Sequence, residues 1–63
     1  MRGQSSRDMI ATIEADGWYF VEAAGSHHQF KHPTKKGKVT IPYPRKDLSF
    51  KTVQSILKQA GLK

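Results

Sequence analysis

With 63 residues, a formal net charge of +6 and no cysteine, the chain is expected to form a single small domain without a disulfide or a thiolate–metal site. No apolar run approaches the roughly 18–20 residues of a membrane span, and the N-terminus lacks the apolar core of a secretory signal, so the expectation is a cytoplasmic protein with no membrane partner. A core this small amounts to one layer of helix on one layer of sheet.

The charge is unevenly placed. Residues 1–23 carry Arg2 and Arg7 against Asp8, Glu14, Asp16 and Glu22, whereas residues 24–63 carry nine Lys and Arg against Asp47 alone. A basic block of this kind draws polyanions: nucleic acid, an acidic protein or an anionic surface.

In chain order, residues 1–4 read as a disordered leader and residues 5–62 as one domain. Ser5-Ser6-Arg7-Asp8 has the S-x-x-D form of a capping box and opens a helix with Met9, Ile10 and Ile13 on its apolar stripe. Asp16-Gly17 closes it. Trp18–Val21 is aromatic and β-branched, a strand; Ala23–Ser26 reads as a turn and His27–Lys31 as a second strand. Pro33–Gly37 is a second turn, Lys38–Ile41 alternates as a third strand, and Pro42-Tyr43-Pro44 forms an extended exit. Ser49 caps a last helix with Phe50, Val53, Ile56, Leu57 and Ala60 at helical spacing, ending at Gly61. The order α-β-β-β-α, with a three-stranded antiparallel sheet and two helices on one face, defines an α+β fold of the double-stranded-RNA-binding-domain type. Most of Trp18, Tyr19, Phe20, Phe30 and Phe50 belong in its core, which leaves Tyr43 as the exposed aromatic.

Three histidines supply the chemistry available near neutral pH. His27 and His28 are adjacent and point to opposite sheet faces, and no carboxylate lies near His28 and His32, so no metal site is expected. The chain has no G-x-S-x-G elbow for a serine hydrolase. RNA brings its own nucleophile, the 2′-hydroxyl, which one histidine acting as general base can deprotonate while nearby cations steady the phosphate charge. Alternation places Phe30 and His28 toward the helices and His27, Gln29 and Lys31 on the open face. Gly25 permits a sharp turn just upstream, and His32 reads as a turn residue. Lys31, Lys35, Lys36, Lys38, Arg45 and Lys46 together can follow a phosphate backbone.

Gly17-Trp18, Gly25-Ser26-His27-His28-Gln29-Phe30, His32-Pro33, Val39-Thr40-Ile41-Pro42 and Ser55-Ile56-Leu57-Lys58-Gln59-Ala60-Gly61-Leu62 occur in an order that resembles the HicA toxin family, from about Asp8 to Leu62. The resemblance implies an endoribonuclease that blocks translation by cleaving messenger RNA, and a cognate HicB-like antitoxin that neutralises it. The family's catalytic histidine of the G-S-H motif corresponds to His27, with Gly25, Ser26 and His28 in the supporting loop. The activity expected is metal-independent and needs no small-molecule cofactor. Two alternatives share the fold and charge: a module that binds RNA without cutting it, and a basic face that only docks an acidic partner.

Overall fold

The computed structural model of the chain describes residues 4–63. Helix α1 spans Ser6–Ala15, strands β1, β2 and β3 span Tyr19–Ala24, His27–Lys31 and Val39–Pro42, and helix α2 spans Phe50–Gln59. The strands form one antiparallel sheet in the order β1-β2-β3.

Both helices start where their caps require. The Ser5 side chain accepts from the Asp8 N–H at 3.1 Å, and the Asp8 carboxylate accepts from the Ser5 N–H at 3.0 Å, a reciprocal capping box. At α2 the Ser49 hydroxyl accepts from the Thr52 N–H. Gln4, assigned to the leader by the sequence, has its carbonyl bonded to the Leu48 N–H at 2.7 Å; the rest of the expected leader lies outside the described residues.

Cross-strand partners share a sheet face, so the register separates the two sides. Phe30 pairs with Val39, and His28 pairs with Ile41. Phe30, Val39 and Ile41 are buried in one core with Met9 and Ile13 of α1, Val53, Ile56 and Ala60 of α2, and Trp18 and Leu48. One sheet face therefore carries both helices. The other face carries His27, Gln29 and Lys31 of β2 and their partners Thr40 and Pro42 of β3.

The β1–β2 hairpin differs from its expected form. β1 runs through Ala23 and Ala24, leaving Gly25-Ser26 as a two-residue turn. Gly25 has φ +60°, the positive value that the first position of a type II′ hairpin needs. Between Phe20 and Glu22 the register shifts, so Val21 is an extra residue in the strand. β1 is also exposed along its whole length. Tyr19 and Phe20, expected in the core, are 51% and 50% exposed because no helix covers this edge strand. Phe50 occupies a stripe position of α2 but is 77% exposed. Of the five aromatics, most of them expected in the core, Trp18 and Phe30 are buried.

Candidate active site

The two ends of the sheet have different chemistry. At the end where β2 leads into β3, His32 acts as a hub. Its Nδ1 accepts the backbone N–H groups of Thr34 and Lys35, both at 3.1 Å. Nδ1 needs a free lone pair to do so, which puts the proton on Nε2, 2.7 Å from the Asp16 carbonyl it donates to. The ring meets Trp18 edge-on at 5.2 Å. Trp18 Nε1 donates to the Ala60 carbonyl at 3.3 Å, and Lys35 Nζ donates to the same oxygen at 3.0 Å. A cation at the last carbonyls of α2 complements the helix dipole. Lys35 also pairs with the Asp16 carboxylate at 2.5 Å. That hydrogen bond holds the Asp16 carboxyl below its usual range, against a smaller opposing effect of burial. His32, read as a turn residue, thus ties the ends of both helices to the loop. Lys35, grouped with the phosphate-tracking lysines, has its ammonium engaged inside the fold.

At the other end the chain turns through Gly25-Ser26 into the paired histidines. The Tyr43 N–H donates to the Ser26 carbonyl at 2.6 Å, which joins this turn to the exit from β3. The buried Ser6 hydroxyl donates to the Pro42 carbonyl, and the Ser6 N–H donates to the Arg45 carbonyl at 2.9 Å. His28, on the helix side, is half-buried with its ring stacked on Tyr43 at 4.5 Å and meeting Phe20 edge-on at 5.5 Å. Tyr43 is therefore not the exposed aromatic expected from its two flanking prolines: the His28 ring covers it.

His27 is exposed on the open face, opposite Ala24 in β1 and Pro42 in β3. Small Ala24 leaves its ring uncovered on that side. Helix α2 stands along the free edge of β3, where the Gln59 side-chain oxygen accepts the outward Thr40 N–H at 3.0 Å. Between the two runs a groove of about 400 Å³ lined by His27, Thr40 and Pro42 from the sheet and by Lys51, Thr52, Ser55, Ile56 and Gln59, all from α2.

The basic residues singled out in the sequence divide into groups. Lys31 lies at the far end of β2, four residues and so about 13 Å from His27. Lys36 and Lys38 are exposed in the loop beyond it. Arg45 and Lys46 lie with Arg7 around a separate hollow of about 320 Å³ at the start of α1, with Ser5, Ser6, Tyr43 and Pro44. None of these six expected cations lines the His27 groove; the lysine that does is Lys51. Sequence reading passed over Lys51 because it lies 24 positions from His27. Its one local signal is a lysine two residues after the N-cap, where acidic residues are favoured.

The sheet and its two helices define the class, an α+β domain of the double-stranded-RNA-binding type, with an exposed histidine in a groove that Lys51 also lines. Residues 6–62 match the HicA toxin of bacterial toxin–antitoxin systems, and the chain belongs to that family. Among solved structures, the chain is similar to one described as a toxin–antitoxin complex from Streptococcus pneumoniae. That match has 28% identity and a TM-score of 0.78, and it covers 94% of this chain and 98% of the other. No curated protein matches the chain.

Proposed function

We propose that the chain is a metal-independent endoribonuclease that cleaves messenger RNA with His27 as general base. The observation that carries this reading is the contrast among the three histidines. His32 uses both ring nitrogens within the fold and the His28 ring packs against Tyr43 and Phe20, while His27 is exposed and its ring nitrogens make no hydrogen bond among the described residues. A group that must take and return a proton needs such access. Gly25 and Ser26 set where β2 begins and hence where the ring stands, and His28 braces the strand from its other face through Tyr43. Lys31, Lys36, Lys38, Arg45 and Lys46, all exposed, would hold the phosphates of a long RNA on either side of the cut; Lys35 contributes to the loop's shape instead.

Membership of the HicA family and the similarity to a chain from a toxin–antitoxin complex support a cognate antitoxin, of HicB type, as the protein partner. Its action would be in the cytoplasm, where messages are translated.

The test is cleavage of a long single-stranded RNA by the purified chain in EDTA, wild type beside His27→Ala. The expected result is cleavage by the wild type and a loss of about 10²–10⁴-fold in the variant, with RNA affinity and thermal stability retained. Equal cleavage by both removes His27 from the chemistry. Binding without cleavage by either makes the chain an RNA-binding module.

A further inference from the structure

A single general base leaves the phosphate charge uncompensated. When a 2′-oxygen attacks phosphorus, negative charge grows on the non-bridging oxygens, and donors already in place there lower the barrier. The far wall of the His27 groove supplies such donors. Lys51 and Ser55 are four residues apart on α2, one turn, so their side chains lie on the same helix face. Lys51 is exposed and makes no ion pair among the described residues. The Ser55 oxygen accepts from Gln59 Nε2 at 3.2 Å, while the Gln59 oxygen is held by the Thr40 N–H. This chain of bonds uses one of the two Ser55 lone pairs and leaves its O–H as a donor. The first turn of α2 also contains no acidic residue, unlike that of α1, which carries Asp8. Lys51 thus adds positive charge to the positive end of a helix dipole, an arrangement that costs stability unless an anion binds there.

We propose that Lys51 is a second catalytic residue, its ammonium holding the non-bridging oxygens of the scissile phosphate across the groove from His27, with the Ser55 hydroxyl as an adjacent donor. This assignment rests on the ribonuclease reading. In the step it serves, the 2′-hydroxyl gives its proton to His27 and the 2′-oxygen bonds to phosphorus. The bond from phosphorus to the 5′-oxygen breaks, and the departing oxygen takes a proton back from the imidazolium. The products are a 2′,3′-cyclic phosphate and a free 5′-hydroxyl. No oxidant, reductant or further reactant is required, and Lys51 keeps its charge throughout.

The experiment measures single-turnover cleavage of an RNA containing one susceptible linkage, over a range of protein concentrations. It compares wild type, His27→Ala, Lys51→Ala, Lys51→Gln, Lys51→Arg and Lys58→Ala, each checked for folding by thermal unfolding. Lys58, at the other end of α2, controls for loss of one positive charge. Lys51→Ala and Lys51→Gln are expected to lower the maximal rate by about 10²–10³-fold, the cost of losing one such donor. Lys51→Arg, which keeps the charge, should recover most of that loss. Lys58→Ala should stay within about threefold of wild type. A Lys51→Ala chain that cuts at the wild-type rate overturns the assignment and leaves His27 untouched. So does a loss confined to RNA affinity, which would make Lys51 an ordinary phosphate contact. A wild-type chain that does not cut RNA removes the ribonuclease reading and this assignment together.

Discussion

Replacing Gly17 with alanine tests the hub around His32. Gly17 has φ +105°, and a Cβ built there would lie 2.7 Å from His32 Nε2, the nitrogen that donates to the Asp16 carbonyl. The positive φ costs a non-glycine residue about 1–2 kcal/mol. Displacing the imidazole also loosens its bonds to the Asp16 carbonyl and to the Thr34 and Lys35 N–H groups, each contributing about 0.5–1.5 kcal/mol. A total near 3 kcal/mol is large for a chain whose whole stability, at about 0.05–0.15 kcal/mol per residue, is roughly 3–9 kcal/mol. The melting temperature of a domain this size falls about 4–8 °C per kcal/mol, so a drop of about 15 °C is expected. Two comparisons isolate the cause. Gly37 has φ +82° with nothing within 4 Å of its Cβ position, so Gly37→Ala should cost only the backbone component, about 1–2 kcal/mol. In a His32→Ala background, Gly17→Ala should likewise fall to that smaller cost. Urea unfolding of the four members of this cycle measures the coupling. An equal cost of Gly17→Ala in both backgrounds would refute the claim that the imidazole is the obstacle.

Two further outcomes follow from contacts at the opposite ends of the fold. Because Lys35 holds the Asp16 carboxyl below its ordinary value of 3.8, the unfolded chain takes up that proton first as pH falls. The pair's contribution is then complete above the ordinary value and drains away as pH drops through the native one. Asp16→Asn should accordingly lower the melting temperature at neutral pH, with the difference from wild type shrinking in acid; a difference independent of pH would count against the pair. At the other end, Ser6→Ala removes the buried hydroxyl that donates to the Pro42 carbonyl and leaves that acceptor unsatisfied. The expected cost is about 1–3 kcal/mol in urea unfolding, and an unchanged midpoint would mean that the bond contributes nothing net.

Local signals in the sequence carried most of the architecture. Ser5 and Ser49 announced both helices because a cap is a short-range device, and alternation sorted His27 from His28 because a strand has a period of two. The misplaced features depend on what lies across space. The aromatic character of Tyr19 and Phe20 says nothing of β1 being an uncovered edge, and the extra residue at Val21 and the continuation of β1 to Ala24 depend on pairing with β2. Tyr43 between two prolines gave no sign of the imidazole that would stack on it. The same limit governed the cations. Lys35 looked like its neighbour Lys36 until the fold brought Asp16 and the end of α2 to it, and Lys51 gained its meaning only when α2 came to rest beside β3.

The placement of the hub has a consequence for how this small domain tolerates change. Asp16, Trp18, His32, Lys35 and Ala60 fasten the C-terminal ends of both helices, while His27 and Lys51 stand at the opposite end of the sheet. Cohesion and the proposed chemistry thus draw largely on different residues, although the chain is only 63 residues long. Under the proposed function, the exposed groove positions can change in sequence without loosening the clasp that keeps the domain folded. A His27 variant without the proposed activity would still present the rest of its surface to a binding partner in native shape.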